Sequence, residues 1–503
     1  MPSPAKKTTT RPAARRGRPA PELIFGDLWE YDPAPETADP KLKSRYELFI
    51  GGEFVAPKGG RYFDSINPAN EKKLTELALG GEADVDAAYA AAKRAFETVW
   101  RDMPGRERGK YLYRIARLLQ DRAREFAVAE TLDNGKPIRE TRDFDVPMAA
   151  AHFFYHAGWA DKLEYLAPGR TVSPLGVVGQ VIPWNFPLLM LAWKIAPALA
   201  AGNCVVIKPA TNTSITAVKL AEIFRDAGLP AGVVNVITGP GDTGAKLLAH
   251  PTAAKIAFTG STEVGKVIMR SIAGTEKRMT MELGGKAANI VFDDAALDQA
   301  VEGIVNGIFF NQGQVCCAGS RLLVQESVAA QVVAKLKNRL RVLRVGDPMD
   351  KNTDVGAIVS RAQLETIQGY IDVGVKEGAE LWQPPFRKPS KGFYVPPTLF
   401  TGVTQSHRIA REEIFGPVLA VLTFRTVDEA LEKANNTEYG LSAGVWTDKG
   451  SRILRMSKEL KAGVVWANTF NKFDPASPFG GYKESGFGRE GGRQGLLDYV
   501  TLS

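Results

Sequence analysis

The sequence predicts an α/β fold built on two doubly wound parallel sheets. From about residue 174, short apolar runs alternate with helix-length segments. A second series of the same kind runs from ANIVF (288–292) to about residue 466. Strand, crossover helix, strand in repetition is the signature of a parallel sheet covered on both faces. A chain of 503 residues is long enough to bury two or three such cores.

Taken in order, the chain opens on a basic segment. Lys6, Lys7, Arg11, Arg15, Arg16 and Arg18 all precede the first acid, Glu22, and account for most of the net charge of +8. Residues 1–20 are rich in Pro, Ala and Thr, cannot bury apolar surface, and are expected to be a disordered tail. Pro2, Pro4, Pro12 and Pro19 interrupt the amphipathic helix a transit peptide needs. The rest of the chain is nearly neutral, so neither nucleic acid nor a membrane surface is an expected partner. Residues 60–140 read as mainly helical, DVDAAYAAAKRAFETVW (84–100) most clearly. His152 and His156 lie four apart, a spacing that can place two metal ligands on one helix face. No third ligand completes a site, so helix packing is expected and no metal.

Thr171 to Trp193 carries no charge and is long enough to span a bilayer. Pro174, Pro183, Pro187 and Asn185 interrupt it, so a buried strand followed by a buried helix is expected. VVGQVI (177–182) is that strand. The helix begins at Pro187, which suits a first turn, and ends at Gly202. CVVIK (204–208) is the next strand, and SITAVKLAEIFRDAG (214–228) an amphipathic helix with Ser214 as N-cap and Gly228 past its end. VVNVI (233–237) and KIAFT (255–259) follow as strands, each leading to a Gly-containing turn and a helix. Three cysteines (Cys204, Cys316, Cys317) make no disulfide framework, and the N-terminus has no apolar signal core. A reducing, cytoplasmic setting is expected.

Ligands of such sheets bind beyond the carboxyl ends of the strands, so the turns there are where chemistry is expected. NQGQVCCAG (311–319) sets two thiols after a polar loop. A thiolate adds to an aldehyde carbonyl where an unactivated hydroxyl does not. MELGGK (281–286) sets Glu282 at a strand end, before two glycines that let other groups approach closely. PWNFP (183–187) sets Asn185 at a helix start, where its amide can donate to an oxyanion. FTGSTEVGK (258–266) offers backbone N–H groups to a phosphate. It fails as a Walker sequence, because Val267 stands where Ser or Thr should hold magnesium. GPGDTG (239–244) matches a weak glycine pattern and reads as a turn.

PWNFP, KPA, FTGSTEVG, ELGGK, FFNQGQVCCAGSR, EEIFGPV and PFGGYKESGFGRE occur in this order from about residue 46 to 500. Together they resemble the aldehyde dehydrogenase superfamily. The resemblance implies Cys316 as nucleophile, Glu282 as general base and Asn185 as oxyanion donor. It implies a dinucleotide site of Trp184, Lys208, Thr211, Gly244, Gly260, Ser261, Glu413 and Phe415. Phe186, Trp193, Phe473 and Phe479 resemble positions lining the aldehyde tunnel, and Cys317 is a packing neighbour. The implied reaction is NAD(P)-dependent oxidation of an aldehyde to a carboxylate through a thioester. Glu282 favours hydrolysis, since relatives that pass the acyl group to coenzyme A typically lack it.

The implied layout has a dinucleotide-binding domain from 21–150 and 175–284 and a catalytic domain from 285–478. Segments 151–174 and 479–503 are expected to bridge subunits of a homodimer or homotetramer as a small oligomerisation extension. Thr211 stands where NAD-preferring relatives often have Glu, so NAD is the expected cofactor with NADP also admitted. Lys472 falls in the loop that shapes the aldehyde entrance. RDFDVPMAAAHFFYHAGWADKL (142–163) and RLLVQESV (321–328) resemble the family-16 branch, whose members usually carry a second dehydrogenase-like domain for which this chain has no room. A scaffold without catalysis and a cofactor-independent thiol esterase are the competing readings. Cys316, Glu282 and Asn185 together speak against the first; Lys208, Ser261 and Glu413 speak against the second.

Overall fold

The computed structural model describes residues 32–503, so the basic segment 1–20 lies outside the described residues. Two large sheets organise the chain. In the first, five parallel strands lie in the order Arg278–Glu282, Ala253–Thr259, Val177–Val181, Cys204–Lys208, Val234–Val236. The strand that comes first in sequence, Val177–Val181, lies in the middle. The chain winds outward through Cys204–Lys208 and Val234–Val236, then returns to lay Ala253–Thr259 on the other side. The switch point therefore falls between Val177–Val181 and Ala253–Thr259, where a crevice opens beyond the carboxyl ends. Short antiparallel strands extend both edges: Leu48–Ile50 and Glu53–Val55 at one, Gly486–Phe487 at the other.

The second sheet has seven strands, in the order Glu380–Trp382, Thr398–Thr401, Val418–Phe424, Arg321–Gln325, Ala288–Val291, Ser442–Trp446, Val464–Ala467. All its pairings are parallel except the first. Both sheets are thus doubly wound, as the alternation of apolar runs and helices predicts. The central strands are buried on both faces, which is why they read as unbroken apolar runs.

The chargeless stretch 171–193 resolves into the strand Val177–Val181 and the start of the helix Pro187–Ala200. Among the described residues no helix is long and apolar enough to cross a membrane. Gly202 follows that helix at φ +92°, and Gly228 follows Ile215–Asp226 at φ +69°, both left-handed. Ser214 stands at the N-cap position, but its hydroxyl donates to the carbonyl of Ala210 instead of capping.

The helical reading of 60–140 holds only from residue 82. Tyr62–Ile66 and Lys73–Ala78 form an antiparallel pair, joined on the far side of Lys73–Ala78 by Arg45–Tyr46. The reversal is closed by Asn67, whose N–H donates to Lys72 and whose carbonyl accepts the N–H of Glu71. Beyond it, the helices Glu82–Ala95, Gly105–Asp121, Ala123–Asn134 and Val146–Trp159 pack on the first sheet and its neighbours. Val146–Trp159 runs unbroken across position 150. Segment 479–503 divides: Gly486–Phe487 completes the first sheet, while Val500–Leu502 pairs with Val172–Pro174 in a separate two-stranded ribbon.

Candidate active site

Three turns meet at the crevice. Asn185 lies just beyond the strand Val177–Val181 and is 4% exposed. Its Nδ2 donates to the carbonyl of Gln314 at 3.0 Å, and its own carbonyl accepts from Asn311 Nδ2 at 2.7 Å. The Asn185 turn is therefore bolted to the loop that carries Cys316. That loop is itself held in an unusual shape, with Asn311 and Gln312 left-handed at φ +48° and +54°. The conformation is held by hydrogen bonds to three neighbouring segments. Asn311 N–H donates to Glu140, Gln312 Nε2 to the carbonyl of Ala357, and Gln314 Oε1 accepts from Val359 N–H. Gly313 is required, since a Cβ there would lie 2.2 Å from the carbonyl oxygen of Gly416.

Cys316 is half-buried at the end of this loop, whereas Cys317 is 1% exposed and packs into the core of the second sheet. The side chain of Cys317 and burial push the Cys316 thiol well above the ordinary range. Glu282 ends the strand Arg278–Glu282 and lines the same cavity as Cys316. It is 5% exposed, and among the described residues neither carboxylate oxygen has a hydrogen-bond partner. Burial first, then the nearby charge of Glu490, pushes its pKa well up. A carboxylate held this way accepts a proton more readily than a solvated one.

Sequence reasoning missed two residues here. Lys194 and Glu490 form a buried ion pair, 1% and 4% exposed at the side chain, that also lines the cavity beside Glu282. Lys194 partly opposes the rise in the Glu282 pKa, and Glu490 adds to it. A signal existed, because Lys194 is the only charge in the apolar helix Pro187–Ala200.

A second group lies along the carboxyl ends of the first sheet. Lys208 ends its strand, is 4% exposed, and donates to the carbonyls of Pro209 and Gly239 at 2.8 and 2.9 Å. Burial lowers its pKa to about 8. Gly244, in the helix Gly241–Ala249, leaves room for it, since a Cβ there would lie 2.9 Å from Lys208 Cε. GPGDTG is thus a turn that runs on into a helix. Thr211 Oγ1 donates to Gly239 at 3.0 Å. Ser261 caps the helix Thr262–Ile272 by accepting from Val264 N–H at 3.3 Å, and Gly260 N–H ties the turn to the Glu282 carbonyl at 3.1 Å.

Glu413 arrives from the second sheet. Its Oε1 accepts the N–H of Gly285 at 2.9 Å, and a Cβ on Gly284 would lie 2.3 Å from its Oε2. Burial raises its pKa to about 7. Phe415, left-handed at φ +57°, meets Trp184 edge-on with ring centroids 5.1 Å apart.

The four expected tunnel residues also converge. Phe186, Trp193, Phe473 and Phe479 all line the cavity that contains Cys316 and Glu282. Trp193 lies 5.5 Å from Phe479 and 6.4 Å from Phe473 between centroids. Lys472, Asp474 and Ser477, all exposed, place the mouth at this loop. His152 and His156 are buried in helix packing, 6.1 Å apart between ring centroids.

Comparison with known proteins agrees with this arrangement. Residues 54–503 match the model of the aldehyde dehydrogenase family. DhaS of Bacillus subtilis (strain 168), named as an aldehyde dehydrogenase, is 46% identical over 92% of this chain and 95% of its own. Human retinal dehydrogenase 2 is 44% identical over 92% of each. The structure of the NAD+ complex of aldehyde dehydrogenase from Bacillus cereus is similar with a TM-score of 0.88, at 42% identity, over 91% of this chain and 96% of that one. By sequence, fold and the residues gathered in its crevice, the chain belongs to the aldehyde dehydrogenase family.

Proposed function

We propose that this protein oxidises apolar aldehydes to carboxylates with NAD as hydride acceptor, through an acyl group carried on Cys316. The observation that carries the reading is that one largely apolar cavity holds Cys316 and the unpartnered carboxylate of Glu282, with the Asn185 amide fixed to the Cys316 loop. The relatives' NAD+ complex supports the cofactor. So does the fit of the residues present: a lysine passing through a glycine gap, a capped helix start, and a carboxylate seated where Gly284 has no side chain. Lys208 would hold the adenosine ribose with Thr211, Gly244 and Ser261 bordering the phosphates. Glu413 would hold the nicotinamide ribose between Trp184 and Phe415. Thr211 has no charge to repel a 2′-phosphate, so NADP is admitted as well.

The chain's own groups then act in sequence. The Cys316 sulfur adds to the carbonyl carbon, and its proton passes to a base. The Asn185 amide and the backbone N–H of Cys316 stabilise the oxyanion, worth roughly 10²–10³ in rate. The chemistry a bound NAD supplies is hydride acceptance, which leaves the carbon as a thioester. Glu282 takes a proton from water as its oxygen attacks that thioester, and the acid leaves as the thiol is restored. The Lys194–Glu490 pair holds the electrostatic balance around Glu282.

The test mixes the protein with NAD or NADP and a panel of aldehydes, following absorbance of the reduced cofactor. Turnover is expected in the wild type and none with Cys316→Ser. Unchanged activity in that variant would overturn the assignment. Among the described residues the ribbon Val172–Pro174/Val500–Leu502 pairs with no third strand, which supports assembly as a dimer or tetramer.

A further inference from the structure

We propose that Asn134 is a positioning residue of the oxyanion site: by holding the Trp184 carbonyl it sets the direction in which Asn185 presents its amide to the developing charge. This rests on the aldehyde oxidation proposed above.

An amide nitrogen carries two hydrogens. One on Asn185 Nδ2 is taken by the Gln314 carbonyl at 3.0 Å, which leaves the other for an oxyanion. Where that second hydrogen points depends on the backbone that carries the side chain. Residues 183–186 lie between the strand Val177–Val181 and the helix Pro187–Ala200 and belong to neither. Pro183 and Pro187 have no N–H to give. The turn is therefore held by side chains from outside it.

Each peptide unit is a rigid plane, so fixing the two planes that meet at Asn185 fixes the residue. The Trp184 carbonyl belongs to the plane before it, and Asn134 Nδ2 donates to that oxygen at 2.6 Å. The Asn185 carbonyl belongs to the plane after it, and accepts from Asn311 Nδ2 at 2.7 Å. Asn311 moves with the nucleophile loop, whereas Asn134 ends the helix Ala123–Asn134 and brings the reference of the helical layer. Glu130, four residues earlier on the same helix face, accepts the N–H of Leu188 at 3.1 Å. One helix face thus brackets Asn185 on both sides in sequence.

Asn134 is well placed to act as a reference, because it is fully buried and its neighbours are tied. Asp133 accepts the N–H of Ile215 at 2.9 Å and the hydroxyl of Ser65 at 2.6 Å. Gly135 ends the helix left-handed at φ +93°, and its carbonyl accepts the N–H of Ala357 at 2.8 Å. A Cβ on Gly135 would lie 2.6 Å from the Ala357 carbonyl oxygen, so the close pass needs glycine.

The experiment is a double-mutant cycle on kcat, in the full chain with NAD and an aldehyde that the wild type turns over. Asn134→Ala should lower kcat by about tenfold to a hundredfold, the cost of displacing a reacting group by up to ~1 Å. In the Asn185→Ala background the same substitution should have almost no effect, because the group it positions is gone. Asn134→Leu, close to asparagine in volume but without a donor, should give the same two results. Alkylation of Cys316 should keep its wild-type rate in both single variants. Effects that multiply in the double variants overturn the positioning role alone, as does an unchanged kcat in the single ones. Slowed alkylation would place the loss in the nucleophile loop and overturn it too. So would loss of the folded state in both the Ala and Leu variants, which would make Asn134 a residue of the fold. A wild type that oxidises no aldehyde overturns the function proposed above, and the positioning role with it.

Discussion

At the scale of the residue, most side chains of the site are held by a partner that would be lost on substitution. Asn185 is the clearest. Its amide is bonded to the Gln314 carbonyl, yet that carbonyl also accepts from Asn311 Nδ2 at 3.2 Å. Asn185→Ala therefore leaves the Cys316 loop tied while removing the oxyanion donor. The expected result is a drop in kcat of roughly 10²–10³ with a nearly unchanged melting temperature. A parallel collapse of stability would show that Asn185 acts by holding the loop. Gly284 makes the converse case, since its value lies in what it lacks. A methyl there would lie 2.3 Å from Glu413 Oε2, so the carboxylate must move. For Gly284→Ala, calorimetry should show NAD affinity falling about tenfold or more while the thiol of Cys316 still reacts with a small alkylating reagent. Undiminished affinity would remove Glu413 from the cofactor site.

At the scale of the element, a cluster of buried ionisable groups joins the helical layer to the Asn185 turn and the Cys316 loop. Lys136 and Asp145 form an ion pair at 2.7 Å, with both side chains fully buried. Glu130 accepts the N–H of Leu188 in the first turn of the helix after Asn185, and Glu140 accepts the N–H of Asn311 at the start of the Cys316 loop. Lys136 also lies over the Phe186 ring, 4.1 Å from its centroid. One cation thus serves three acids, two of which, Glu130 and Glu140, hold the Asn185 turn and the Cys316 loop by accepting backbone N–H groups. Lys136→Met leaves Asp145 buried and unpaired, a loss of about 3–5 kcal/mol. Urea unfolding should show that loss, and adding Asp145→Leu should recover most of it. A double variant no more stable than Lys136→Met would mean the pair is not the unit of stability. None of this was legible in the sequence. The strands and helices of both sheets were, because buried parallel strands read as apolar runs whatever surrounds them. Cys316, Glu282 and Asn185 were legible because each sits in a short motif, NQGQVCCAG, MELGGK and PWNFP, that resembles the family's in order. Tyr62–Ile66 and Lys73–Ala78 were not, since a half-exposed hairpin beside an Ala-rich helix has no apolar run to declare it. The charge cluster was hidden because its members are paired by folding, across a helix–π-helix–helix path that spacing does not reveal.

At the scale of the whole molecule, the same burial that prepares the site makes stability depend on pH. Glu140 links the helical layer to the Cys316 loop, and burial raises its pKa to about 8, with Lys136 opposing and Asp145 adding. In the unfolded chain a glutamate titrates near ~4.3. Between these values the folded protein holds a proton that the unfolded chain has lost. The contribution of Glu140 is therefore fully present below the unfolded value and is lost as pH rises through the folded one. Other groups titrate in the same range with opposite sign, among them Lys286, lowered to about 7, and Lys208, lowered to about 8. The net curve of the wild type does not isolate any one of them, but a difference does. Glu140→Gln keeps an oxygen for the Asn311 N–H and carries no proton to lose. Its melting temperature should lie close to that of the wild type at pH 5 and rise progressively above it toward pH 8. A difference that stays constant across that range would mean that Glu140 carries its charge in the folded protein, and that the link between the two layers is ionic throughout.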